Sequence, residues 1–534
     1  MAGECVNESF DVIVVGTGAA ALTAAVVAAN QGRSVLVLER ASLLGGTSAF
    51  SGGMLWMPNS AHFAERGGQD SPEAAGEYIR GLTQGRQYDD HLIDVFVDQG
   101  PLAVDYLEKA SPLRLTVSRY YSDYFADRPG GAKGGRSIIP VPFGARDALG
   151  PWFAKLRDSP HFPVALTLDE MAGASGADPR NIHSATMTSS DLPALVAQRA
   201  SDGVVTNGRA LVAALLAGAL GHGAVVRTNA RVVGLVMEGG RAAGAVADTG
   251  DGRATFRAAS GVVLGSGGFE WNSELVLAFL GILDAVPLGP PGNEGDALVM
   301  GMKAGAALAN MSCGWNYPIS FDPAARFEGR PRGTFGSTRF EAGSIAVNQR
   351  GKRFVNEAAA YVDVPKAFWR YEEATQSFPN QPPTYLIFDQ TVRDRAVVND
   401  LRPGQPAPGW VTEARSLPEL AARLGIDAEG LQSEVVRFNE NARRGMDPDF
   451  KRGTVWFEGQ TRGGPTPEST LAPIVTPPFY AMEFRHGLLG TAGGLRDHAR
   501  TRSHIRVPGR PVGQRGWPLT SPRRSTSGRN SVKI

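Results

Sequence analysis

The sequence predicts an α/β protein: a Rossmann-like nucleotide-binding domain interrupted by an inserted α+β domain. Three observations carry this. Residues 12–39 run strand, glycine turn, helix, strand; "AVVRTNARVVGLVMEGGRAAGAVA" (224–247) and "GVVLGSGGFE" (261–270) read as further strands; and residues 417–445, within the insert, read as two amphipathic helices. The expected division is 1–278 with a return at 487–534 for the nucleotide domain, and 279–486 for the insert.

In the first segment, Val12–Val15 is a β-branched run and Ala19–Gln31 an Ala-rich stretch ending at Gly32, a suitable helix C-cap. "SVLVLE" supplies the second strand. Between them, Gly16 and Gly18 allow a tight turn and close approach of a pyrophosphate, while Ala21 fills the third small position against the strand. Ala19 and Ala20 open the helix, whose free N–H groups attract phosphate. Glu39, at the end of the second strand, is placed to accept hydrogen bonds from ribose hydroxyls. A structural βαβ turn would share the glycines but would not require Glu39.

"LLGGTSAFSGGMLWMP" (43–58) follows at once. Its glycines and hydroxyls, Gly45, Gly46, Thr47, Ser48, Ser51, Gly52 and Gly53, resemble the segment that carries glutathione-reductase-type flavoproteins past the pyrophosphate and along the isoalloxazine. This implies FAD. The resemblance also brings Val232, Gly267 and Gly268 to the adenosine half.

Bulk properties narrow the class. With 42% hydrophobic and 20% charged residues the chain can bury a large core. Its formal net charge of +1 provides no overall field for nucleic acid or an anionic membrane. Cys5 and Cys313 form no metal-spaced or disulfide pattern. Acidic residues before the first apolar run do not fit a secretory signal, and "ALVAALLAGALGHGAVV" is too short and interrupted to span a bilayer. A cytoplasmic protein is expected, without a metal or an integral membrane segment. "LPELAARLGIDAEGLQSEVVRFNENARRG" (417–445) predicts two amphipathic helices.

Six motifs in order, "GTGAAAL", "GGTSAFSGGMLWMP", "SDYFADRPGGAKGGRS", "GNEGDALVMGMKAGA", "IAVNQRGKRFVNEAAAY" and "PFYAMEF…GTAGGL", resemble the fumarate-reductase/succinate-dehydrogenase flavoprotein superfamily. Within it they resemble the 3-ketosteroid Δ1-dehydrogenases, over roughly residues 8–495. The resemblance implies removal of a proton from carbon 2 of a 3-ketosteroid and of a hydride from carbon 1 to flavin nitrogen 5. Tyr361, four residues after Asn356 and Glu357, then stands at the position of the base, and Tyr124 at that of its hydrogen-bonding partner. Tyr120 and Tyr121 do not match the motif and read as packing residues. Asn293, Gly295 and Asp296 would bring backbone close to the flavin, or form a turn capping a helix that starts near Asp296. The resemblance names a steroid-like apolar ketone as substrate and leaves the electron acceptor open.

Two alternatives stand beside it. A dicarboxylate oxidoreductase needs cationic clamps, and Arg136, Arg353 and His486 are its candidates; yet "AGAALANMSCGWNYPIS" is apolar and has no histidine where that subclass has His-Pro. A non-catalytic FAD- or steroid-binding protein is the other.

The last residues depart from the resemblance. Residues 496–534 carry nine arginines against one acid, Asp497, with sparse apolar residues. No tyrosine follows Tyr480, so the phenol that polarises the ketone in the family has no candidate. A shifted reading frame, a natural variant lacking the motif, and a basic tail for nucleic acid or membrane are the three readings. Impaired turnover and FAD retention are expected.

Overall fold

The computed structural model describes residues 7–86, 89–118, 121–174, 192–398, 401–462 and 465–496. Tyr120, and residues 497–534 with the expected return of the chain, lie outside these. The β-branched run extends to a strand, Asn7–Val15, and is followed by helix Ala19–Asn30 and strand Val35–Leu38. These belong to a six-stranded sheet in the spatial order Val225–Arg227, Val35–Leu38, Asn7–Val15, Gly252–Leu264, Arg241–Thr249, Arg231–Glu238. The first four strands are parallel and the last two add antiparallel.

The period-two alternation of strands explains the two buried faces. Val14, Val35 and Val37 pack on helices Ala19–Asn30 and Asn207–Gly221 through Leu22, Val26, Val212 and Leu216. Ile13, Val15, Leu36 and Leu38 pack on Phe256, Ala245 and Met300. Sheet and helices thus hold the Gly16–Gly18 turn from both sides.

A second sheet is largely antiparallel, ordered Arg330–Phe335, Gly314–Phe327, Phe479–Thr491, Thr384–Asp389, Ile345–Val347. Phe479–Thr491 is its centre and also pairs with Val286–Pro287 and Val411–Ala414. That strand runs through the expected boundary at 486/487 and stays in the second sheet to Thr491, while Gly494–Leu495 pairs with Leu308–Ala309 in a separate two-stranded ladder. The division into two domains is retained below as a proposal.

The two amphipathic helices form at Leu417–Leu424 and Ala428–Arg443. Ser416 and Asp427 cap them by accepting from Glu419 N and Gly430 N, and Gly425, at φ +69°, ends the first. Among the described residues no helix is long and apolar enough to cross a membrane.

Candidate active site

The turn after the first strand opens a cavity lined by Gly16, Gly18, Ala19, Ala20, Glu39, Gly46, Thr47, Ser48, Val232, Gly267, Asn293 and Asp296, among others. Each is a residue expected at the nucleotide. Gly16 has φ +100°, and a Cβ there would lie 2.5 Å from Gly265 O, so a side chain is excluded sterically and conformationally. No side chain caps the helix at Gly18. Ser48 Oγ takes up the Ala19 N–H at 2.9 Å, and the neighbouring first-turn amides face the cavity rim.

Glu39 is held by Thr17 Oγ1 at 2.5 Å and by the Ala41 N–H at 3.0 Å, which leaves carboxylate lone pairs for ribose hydroxyls. Ser266, also lining the cavity, has a buried hydroxyl without a partner. An uncapped helix terminus, a fixed carboxylate, a glycine cradle and an orphaned hydroxyl fit a dinucleotide.

The other expected residues pack around this wall, and Asn293 and Asp296 are part of it. Gly45 packs on Val212 and donates its N–H to Thr17 Oγ1; Gly52 abuts Leu168; Gly53, at φ +67°, abuts the Asn207 backbone. Ser51 Oγ donates to Ser48 O at 2.8 Å and accepts from Gly53 N at 3.0 Å. Gly268 meets Thr491 and Glu270. Asn293 Nδ2 joins Thr47 Oγ1 at 2.7 Å to Glu270 Oε1 at 2.6 Å. Gly295, at φ +83°, precedes helix Asp296–Lys303, and Asp296 binds Arg231 at 2.8 Å and Arg40 at 3.2 Å. Arg40 and Thr17 carried no sequence signal beyond proximity to the motif.

Tyr124 and Tyr361 come together although 237 residues separate them: the Tyr124 hydroxyl donates to the Tyr361 hydroxyl at 2.5 Å. Their rings meet edge to face at 5.2 Å. Burial and the Tyr361 phenol push the Tyr124 phenol well above its ordinary pKa of 10.0. Tyr124 therefore keeps its proton and gives a hydrogen bond.

Both tyrosines sit on turns braced from beneath. Beside Tyr124, Asp123 accepts from Trp56 Nε1 at 2.6 Å, Ala132 N at 2.9 Å and Arg136 Nη1 at 2.8 Å. Beneath Tyr361, the buried Glu357 accepts from Arg353 through both oxygens at 2.8 Å, from Arg452 at 3.1 Å and from Ala346 N at 2.9 Å. Asn356 bridges Glu458 and the Ala358 N–H. The "RFVNE" residues thus shape the turn that presents the phenol.

Tyr121 is drawn into the same phenol cluster, its pKa well raised by burial and by Tyr317 and Tyr361. Tyr317 packs on Tyr361 at a tilt, 4.8 Å between ring centres, and Phe335 likewise on Tyr317 at 4.5 Å. Phe457 packs on Tyr124 at 5.2 Å, and the half-exposed Trp315 reaches toward the Tyr361 hydroxyl at 3.5 Å. Residues 316–320 of strand Gly314–Phe327 are buried without alternation, so strand periodicity gave no signal for Tyr317.

The three candidate cationic clamps are engaged elsewhere. Arg136 binds Asp70 at 2.7 Å and Asp123; Arg353 binds Glu357 and, at 2.8 Å, Asp447. His486 is buried, its Nδ1 accepting from Trp369 Nε1 at 2.8 Å and its Nε2 facing Asn316 Oδ1 at 2.9 Å. Burial pushes its pKa down to about 3.

A family defined by its FAD binding domain matches residues 11–510. The chain belongs to this family. Its cofactor is FAD, and it is a flavoprotein oxidoreductase related to the 3-ketosteroid dehydrogenases. It is 38% identical to 4-oxocyclohexanecarboxylate 2-dehydrogenase of Sinomonas cyclohexanicum, over 95% of this chain and 86% of that one. It is 36% identical to 3-oxosteroid 1-dehydrogenase of Mycolicibacterium smegmatis, over 93% and 89%. A solved structure of 3-ketosteroid delta1-dehydrogenase from Sterolibacterium denitrificans, in complex with 1,4-androstadiene-3,17-dione, superposes with a TM-score of 0.81 at 33% identity, covering 92% of this chain and 89% of that chain.

Proposed function

We propose that this flavoprotein desaturates a cyclic ketone between the carbons α and β to the carbonyl, with a 3-ketosteroid as the substrate class. The observation that carries the reading is the Tyr124–Tyr361 hydroxyl pair within an aromatic cluster. An α-proton of a ketone is acidic because the carbonyl delocalises the charge left behind. Tyr361 takes that proton as phenolate, and Tyr124 stabilises the phenolate by donating its hydrogen bond. Tyr317, Phe335, Trp315 and Phe457 supply apolar faces on which a flat alicyclic skeleton rests and from which water is displaced. FAD, when bound, accepts the hydride equivalent from the β-carbon.

Glu39, Thr17, Gly16 and the start of helix Ala19–Asn30 would hold its adenosine and pyrophosphate. The catalytic pair, the cofactor wall and the division into a nucleotide domain and an inserted domain belong to this proposal. The steroid dehydrogenases of the family support the substrate class.

A second reading is favoured by the 38% identity to the 4-oxocyclohexanecarboxylate enzyme. The desaturation would be the same, on one ring bearing a carboxylate. Anaerobic mixing with 4-androstene-3,17-dione or with 4-oxocyclohexanecarboxylate separates the two: the ketone that bleaches the oxidised flavin band is the substrate class. Binding without bleaching by either would leave a non-catalytic binding protein.

A further inference from the structure

One buried cation beside the phenols takes no part in the pairing described so far. Arg339 sits in the turn Ser337–Phe340 after strand Arg330–Phe335 and is 0% exposed. Its Nη1 donates to the carbonyls of Glu357 and, at 2.8 Å, Ala359, within the turn that presents Tyr361. Its Nε and Nη2 have no acceptor of good geometry. The guanidinium lies over the Phe340 ring at 3.8 Å and couples to the Tyr317 phenol, whose ring packs at a tilt on that of Tyr361 at 4.8 Å.

Among the described residues no carboxylate forms an ion pair with Arg339. The acid nearest in the chain fold, Glu357, already receives Arg353 and Arg452. An uncompensated buried cation is costly by itself. It is tolerated where it meets carbonyl dipoles and groups that can become anionic, and the phenol cluster is such a group.

Resting on the function proposed above, we infer that Arg339 supplies the positive charge that stabilises a phenolate in the Tyr124–Tyr361 pair, and that it fixes the 357–361 turn as a positioning residue. Among the described residues, the other titratable groups around the pair do not provide this charge. Tyr121 and Tyr317 are phenols, and Asp169, which acts on Tyr121, is an acid that opposes ionisation. His161, stacked on Phe335, is held by burial to a pKa of about 4 and is neutral where phenols titrate. Lys133 stands over Trp456 at 4.2 Å, one residue beyond the Phe457 that packs on Tyr124.

The test is the ionisation of Tyr361 in FAD-loaded protein labelled with 3-fluorotyrosine and followed by fluorine NMR. The Tyr361 signal is the one absent from Tyr361→Phe. In Arg339→Gln, which keeps a carbonyl donor without the charge, the acid constant of Tyr361 is expected to fall tenfold or more. In Arg339→Lys, which keeps the charge, it is expected to stay within threefold.

An unchanged constant in Arg339→Gln overturns the inference, as does a wild-type Tyr361 that stays protonated up to pH 11. Should Arg339→Gln fail to fold, Arg339→Lys decides alone: a fall of more than tenfold contradicts the inference. No ketone enters the measurement, so failure of ketone turnover with a normal titration counts against the proposed function and not against Arg339.

Discussion

The wall that holds the nucleotide and the wall that holds the tyrosines are built in opposite ways. The first is backbone and small side chains: Gly16 against Gly265 O, a helix start without a side-chain cap, and one carboxylate, Glu39. The second is two turns from distant parts of the chain, each held by buried ionic groups, Asp123 with Arg136 and Glu357 with Arg353 and Arg452. The nucleotide wall recognises a ligand by space and dipoles. The tyrosine wall fixes a distance between two hydroxyls.

The comparison is broken most forcefully at Glu357. Glu357→Ala leaves Arg353 and Arg452 buried without their shared anion and should cost about 3–5 kcal/mol of stability, read from denaturant unfolding. An effect near zero would mean that the ionic cluster does not hold the Tyr361 turn.

Acid is the next probe. His486 as neutral imidazole satisfies both Trp369 and Asn316, and protonation would set its Nδ1 proton against the Trp369 N–H. With a folded pKa of about 3, below the unfolded value, the unfolded chain binds the extra proton. Stability from this group is therefore complete above about pH 6.5 and falls as pH drops toward 3. Thermal melts across that window should be less steep in pH for His486→Gln.

On the nucleotide side, Gly16→Ala forces a Cβ into φ +100° and against Gly265 O, a strain of about 1–3 kcal/mol. FAD affinity, titrated by flavin fluorescence, should fall about tenfold to a hundredfold. Ser51→Ala should have the smallest effect, about 1 kcal/mol of stability from two lost hydrogen bonds, with FAD affinity within threefold of wild type.

The same contrast explains how much was legible in the sequence. Strand, turn and helix over 7–39 follow local rules, because glycine spacing and strand periodicity are written in consecutive residues. The paired helices at 417–443, with Ser416 and Asp427 as caps, were legible for that reason. Tyr361 and Tyr124 were legible only as motif positions, since no local pattern states that two hydroxyls 237 residues apart will meet.

Arg136, Arg353 and His486 looked like possible clamps because sequence does not reveal their partners, Asp70, Asp447 and Trp369. Gly45, Gly52 and Gly53 read in the sequence as nucleotide contacts, and what the sequence does not state is that the loop there also lies close against Val212, Leu168 and Asn207. Tyr317, on a strand of the second sheet, and Arg339, in the turn Ser337–Phe340, were missed because their importance lies in which distant side chains they meet.

The central claim is that Tyr361 removes the α-proton of the ketone. It is tested most directly by anaerobic stopped-flow flavin reduction in wild type and Tyr361→Phe, both loaded with FAD and mixed with the ketone that bleaches the wild-type flavin. The account predicts that the bleaching rate falls by about 10²–10⁴ while ketone binding persists. Bleaching of Tyr361→Phe at the wild-type rate would contradict it.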